Sequence, residues 1–282
     1  MGWRPLLAKV AVAKTGPEFT ALPWVYSASA SGRVRGLISD VRDIEVEGIK
    51  FKKIKLSKGS IELMARTDGP PIPLVFNDFP ILKPIISVDR EILNHLDAKM
   101  DVQLTVEFNE RARSGILLAW QGEPTLAVTA PLDSIYNSPE GSRMASAIKL
   151  LELAEKGVED VVFAFLGAEL THGIGFKKFI EVASEMFPRL ERIIRLGPIG
   201  YGDRISLSYD SGFEELGDAF GDAVFPVVRK SDPRDVYPYH VAIVKAEGNP
   251  FYHTVEDQFS QVNEKLANSV IEVIRKYIKN RH

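Results

Sequence analysis

The chain has no cysteine. That absence removes disulfides, thiolate metal sites and a cysteine nucleophile together, and it fits a reducing compartment. Charge of one sign is not in excess: the formal net charge is −3, which creates no field for a polyanion. No basic stripe with interleaved aromatics occurs, so nucleic acid is not expected as a partner. No apolar run reaches the roughly 20 residues that a membrane-spanning helix needs. The start, Met1-Gly-Trp-Arg-Pro-Leu-Leu-Ala-Lys-Val10, lacks the long apolar core and small-residue cleavage site of a signal peptide. Repeats and low-complexity segments are missing too. These absences lead to the expectation of a soluble, cytoplasmic protein with no membrane partner. What remains is ordinary: 282 residues, 45% hydrophobic and 26% charged, enough for one large domain with a smaller module.

One stretch organises the rest. Asp160–Glu169 reads Asp-Val-Val-Phe-Ala-Phe-Leu-Gly-Ala-Glu. A short, continuously apolar run bounded by turn residues predicts a strand buried on both faces. Glu169 then follows its carboxyl end, the edge where open α/β sheets place ligands and chemistry.

Before that stretch the pattern is β-like. Residues 1–24 are short apolar pieces broken by Gly16-Pro17 and Pro23. From Arg33 to about Phe76, short strand-like pieces alternate with Gly, Asp and Lys, predicting a small all-β unit. The charged runs Asp40–Glu47 and Lys50–Lys58 read as solvated strand edges that discourage pairing. Asp89 caps a short predicted helix to Leu96, and Val102–Phe108 alternates as a half-buried strand. Beyond Arg113 the pattern is α/β. Gly115–Trp120 and Thr125–Thr129 read as strands joined by a hairpin-like turn at Gln121-Gly122. Helices are expected over Glu140–Lys156, Gly175–Met186, Phe213–Phe220 and Val255–Ile278, with strands at Val161–Leu166, Arg192–Leu196, Ile205–Tyr209, Val224–Val228 and Val241–Val244. The expected fold class is α/β: a central mixed sheet with helices on both faces, plus a small β-rich module. The expected division is 1–24 packed on the main domain, 25–108 as the module and 109–282 as the α/β domain.

Five ordered motifs carry a family resemblance. They are Val128-Thr-Ala-Pro-Leu-Asp-Ser134, Leu150-Leu-Glu-Leu-Ala154, Phe163-Ala-Phe-Leu-Gly-Ala-Glu169 with Gly173-Ile-Gly175, Ser231-Asp232, and Tyr252-His-Thr-Val-Glu-Asp257. In order and approximate spacing, residues 113–279 resemble the M28 zinc aminopeptidase family. The resemblance implies a zinc-peptidase fold, with residues 25–108 similar to a shortened protease-associated domain. The helices that precede that insert in the family have no counterpart here. Apolar sheet surface would then need cover from residues 1–24 or from a second subunit, so a homodimer is expected.

The resemblance also implies two zinc ions that share a carboxylate and activate a water. Each ligand position needs His or a carboxylate. Here Pro131 stands at the first ligand position, Ser142 near the bridging acid, Leu170 at the next ligand and Gly197 near the third carboxylate. Only His253 retains a ligand. Glu169 occupies the general-base position, and Asp133 the place of the acid that supports the first His. Glu140 lies close enough for a register shift to bring it in, while Asp203 lies too far along. Loss of several simultaneous ligands removes a zinc site.

Alternatives remain at this level. Glu169 is either a working base or a pocket acid left without its metal. Glu169 and His172, spaced i, i+3, could join Glu140, Asp133 and His253 in a substitute mononuclear site. Asp133-Ser134 with His253 suggests a serine hydrolase but lacks a nucleophile elbow. The leading expectation is a catalytically inactive protein that binds a peptide or small molecule, or scaffolds, through the former substrate cleft. Glu169, Asp133, Glu140, His172, Tyr252 and Asp257 would line that cleft, with no cofactor. The alternative is an active aminopeptidase with a rearranged zinc site.

Overall fold

The computed structural model describes residues 2–13, 16–23, 30–46, 49–71, 85–109, 115–134, 140–169, 173–221, 223–230, 238–248, 251 and 256–281. Two compact units divide the chain, Met1–Arg113 and Ser114–His282; the expected boundary was 108/109.

The first unit contains β1 (Gly2–Val12), β2 (Glu18–Phe19), β3 (Ala21–Pro23), β4 (Ala30–Val46), β5 (Ile49–Leu56), β6 (Glu62–Arg66), β7 (Ile85–Val88) and β8 (Lys99–Asn109). They form one eight-stranded sheet in the order β2-β1-β8-β4-β5-β6-β7-β3. Residues 1–24, expected as a segment on the α/β domain, contribute β1, β2 and β3, which hydrogen-bond within this sheet. Val10, Ile54, Leu63, Ile86, Met100, Val102 and Leu104 share its core. The 89–96 helix is a 3₁₀ turn, Arg90–His95, whose Glu91 N–H donates to Asp89 at 3.0 Å.

The Lys50–Lys58 run is not an edge, because β5 pairs with β4 on one side and β6 on the other. The acidic run is one-sided as expected: β8 pairs with Ala30–Leu37 of β4, and residues 40–46 pair only with β5 among the described residues. Asp43 is directly opposite Lys52 in the β4–β5 ladder. Their side chains pair at 2.7 Å, so alternating charges here match neighbouring strands rather than repel them.

The second unit carries β9 (Ile116–Gln121), β10 (Leu126–Pro131), α1 (Gly141–Ala154), β11 (Val161–Leu166), α2 (Ile174–Met186), β12 (Arg192–Leu196), β13 (Arg204–Tyr209), α3 (Glu214–Gly221), β14 (Val227–Arg229), β15 (His240–Glu247) and α4 (Glu264–Lys279). Its seven strands run β14-β13-β15-β12-β10-β11-β9. The core pairs β11–β10, β10–β12 and β12–β15 are parallel; β9–β11 and β13–β15 are antiparallel. The fold class is α/β with a mixed sheet. Among the described residues no helix is long and apolar enough to cross a membrane.

β11 is buried at every position. Val161, Phe163 and Phe165 pack with α1, α3 and α4 on one face. Val162, Ala164 and Leu166 pack with Phe176, Phe179 and Ala183 of α2 on the other. Two expectations change. β9 and β10 are not a hairpin, because β11 lies between them. α4 begins at Glu264 rather than Val255: the Asn263 side chain accepts from Leu266 N at 3.1 Å and caps it there. An N-cap oxygen satisfies a donor that the helix leaves unpaired, and so fixes its start.

Asp101 on β8 accepts hydrogen bonds from Arg33 at 2.7 Å and Arg35 at 2.9 Å on β4. The bond from Arg33 is the main cause that lowers its carboxyl to about 2; partial burial opposes the shift and Arg35 adds to it. An unfolded Asp titrates near 3.9. This contribution to stability is therefore complete above about pH 4 and is lost as the pH falls toward 2. An NMR titration should give Asp101 a midpoint near 2, moving toward the ordinary value in Arg33→Gln; no movement would discount the pair.

Candidate functional site

The strand order places the site. From β10 the chain passes through α1 to β11 on one side, then through α2 back past β10 to β12. α1 and α2 cover opposite faces. The crossovers diverge between β10 and β12, and a crevice opens at the carboxyl ends of strands at such a point. The segments there are 132–134 after β10, 167–169 after β11 and 197–199 after β12, with Pro131 the last residue of β10.

Glu169 is held firmly. Its Oε1 accepts from Phe176 N in the first turn of α2, at 2.6 Å. Its Oε2 accepts from the Arg195 guanidinium, also at 2.6 Å. The Glu169 side chain is only 7% exposed, and burying a carboxylate this far requires such partners. Arg195 also lies 4.5 Å above the Phe176 ring, a favourable place for a guanidinium. The approach needs two backbone accommodations. Ala168 takes φ +57°, a conformation uncommon for a residue with a Cβ. A Cβ on Gly175 would lie 2.0 Å from Gly167 O and 3.1 Å from Glu169 Oε1, so only glycine lets α2 start this close to the strand end.

Asp133 meets Arg143, a buried residue in the first turn of α1. Arg143 donates to the Asp133 carbonyl at 2.9 Å and to its carboxylate at 2.8 Å. A cation at a helix N-terminus opposes the helix dipole, so its acidic neighbours hold it there. Glu140, 2% exposed, is one of them: its carboxylate lies 4.0 Å from Arg143.

Ser142 and Asp257 form a third unit. Asp257 accepts from Ser142 N at 2.8 Å and from Ser142 Oγ at 2.6 Å. Glu140, the N-cap of α1, makes no side-chain cap bond, so Asp257 caps the helix from 115 residues away. It is 3% exposed, which puts it beneath the helix start and not on an open cleft wall. A Cβ on Gly141 would fall 2.5 Å from the Gln258 carbonyl carbon, which sets how closely the two segments meet. Tyr201 donates to the Gln258 carbonyl, and burial with the neighbouring Asp257 carboxylate raises its phenol above the ordinary range.

The structure thus brings Asp133, Glu140 and Arg143 together, joins Ser142 to Asp257, and joins Glu169 to Arg195. Leu170, His172, Tyr252, His253 and the Ser231-Asp232 motif lie outside the described residues. Sequence reasoning missed Arg143, Arg195 and Ser146, whose Oγ donates to the Gly197 carbonyl at 2.7 Å and accepts from Ile199 N. A signal existed for Arg195. It interrupts the apolar Arg-Ile-Ile-Arg-Leu run of a central strand, where a charge needs a partner.

These donors do not fit a dinuclear zinc site. Pro131 offers no ligand atom, Gly197 has no side chain, and the Ser142 hydroxyl is bonded to Asp257. The acids Asp133 and Glu169 are bonded to arginines. Among the described residues no group of three or more His, Cys, Asp or Glu gathers as a metal requires.

The Asp257 cap has a measurable weight. Asp257→Ala should lower stability by about 1–2 kcal/mol in chemical denaturation, and by less in a Ser142→Ala background. Equal losses in both backgrounds would discount the hydroxyl contact.

No protein-family model matches the sequence, and no curated protein matches it. Solved structures do match the fold. A candidate peptidase from Clostridium acetobutylicum superposes with TM-score 0.63 at 11% identity, covering 99% of this chain and 67% of that one. An aminopeptidase from Aneurinibacillus sp. strain AM-1 superposes with TM-score 0.59 at 14% identity, covering 99% and 81%. At these identities the likeness concerns the fold, and the fold of this chain is peptidase-like.

Proposed function

We propose that this chain is a member of the M28-like group that has given up hydrolysis and acts as a binding or scaffolding protein. It uses the carboxyl edge of its α/β sheet for a peptide or small-molecule ligand and needs no cofactor. The observation that carries this reading is the Glu169–Arg195 pair. The acid in the general-base position already spends one oxygen on the start of α2 and the other on a guanidinium. A general base must lie within hydrogen-bond reach of the water it deprotonates, and a metal-activated water needs ligands around it. The occupied positions supply arginine cations and backbone-anchored acids instead. The peptidase-like fold supports the choice of edge, and the departures at Pro131, Ser142 and Gly197 support the loss of chemistry.

Metal content and turnover test this together. The full chain, equilibrated with zinc and desalted, should retain less than about a tenth of an equivalent by elemental mass spectrometry, since catalytic zinc sites bind tightly enough to survive desalting. Aminoacyl 4-nitroanilides should not be turned over above buffer. Retention of one or more equivalents, with turnover that Glu169→Gln abolishes, would overturn the proposal in favour of a rearranged active site.

A further inference from the structure

The two edges of the seven-stranded sheet are unlike. β14 is three residues long, follows Pro226 and runs into Arg229 and Lys230. Shortness, proline and charge are the usual protections of a strand with unpaired peptide groups. β9, at the other edge, has none of these. It reads Ile-Leu-Leu-Ala-Trp-Gln, with Leu117 64% and Trp120 48% exposed.

The ladder fixes which peptide groups of β9 face outward. Gly167 N donates to Gly115 O, and Asp160 N to Gln121 O. Odd-numbered residues therefore turn their groups to β11, and Ile116, Leu118 and Trp120 turn theirs away from the sheet.

We propose that β9 pairs antiparallel with β9 of a second copy, across a two-fold axis at Leu118, joining two α/β sheets into one. In an antiparallel ladder, residues with outward groups must oppose one another. The register centred on Leu118 does this for all three. Leu118 meets its own mate, and Trp120 meets Ile116 on the face that α2 covers. Leu117 meets Ala119 on the other face. Large side chains oppose smaller ones at both off-axis pairs, so in this register the strand's own sequence supplies its complement. At the Gln121 end, Glu123 and Arg189 neutralise each other at 2.6 Å, and the Asp160 carboxylate accepts from Glu123 N at 2.8 Å. Six residues a side make a small interface, so the dimer forms with rising concentration.

Sedimentation of the full chain at roughly 1–100 μM should show a concentration-dependent rise to twice the 31.4 kDa chain mass. Leu117→Lys, at an exposed position, should weaken dimerisation at least about tenfold with unchanged thermal melting of the monomer. Trp120→Lys should weaken it similarly and also lower the melting temperature, because it removes the edge contact of Trp120 with Phe187. The chain has no native cysteine, so a single introduced one reads the register. Leu118→Cys should oxidise to a covalent dimer. Leu117→Cys should not, because its two-fold mate lies beyond the roughly 7 Å that a disulfide spans between Cα atoms. A monomer at all concentrations, which would leave the strand to an added peptide, overturns the proposal. So does a dimer indifferent to both lysines, or equal crosslinking of the two cysteine variants.

Discussion

A carboxylate withdrawn from water must be matched by donors, and at the carboxyl edge of this sheet the donors come from the chain itself. Arg195 and the first turn of α2 hold Glu169; Arg143 holds Asp133; the first turn of α1 holds Asp257. Each acid ties a strand end or loop to the start of a helix, so the charge arrangement is also the joinery between layers. Guanidinium groups and backbone N–H groups neutralise these acids, and the helices begin where those contacts allow.

Much of this was legible in the chain. Val161–Leu166 declares a strand buried on both faces because no position in it tolerates water, and the structure pairs it on both sides. The placement of Glu169 at the strand end follows from that reading alone. That Pro131 and Gly197 offer no side-chain ligand atom was equally plain, since it needs no geometry to see.

The partners of the buried acids were not legible. Arg195 finds Glu169 across 26 positions, and Asp257 finds Ser142 across 115; residue spacing is silent about such pairs. The hairpin reading of β9 and β10 failed for a related reason. A turn signal at Gln121-Gly122 argues for adjacency, but the fully apolar β11 demands a neighbour on each side and takes the place between them. β1 was missed because Pro5 interrupts its pattern, and the strand absorbs that proline at a register shift between Pro5 and Leu7, where a ladder tolerates a missing donor.

The Asp257 cap reaches beyond stability. α1 directly follows β10 and covers one face of the sheet, yet an N-terminal donor of it is satisfied by a residue 115 positions further along the chain. During synthesis, N-terminal segments emerge first. The start of α1 must then wait, without this cap, until Asp257, 115 residues further along, has left the ribosome. A chain truncated before residue 257 would carry an α1 whose first turn lacks this cap.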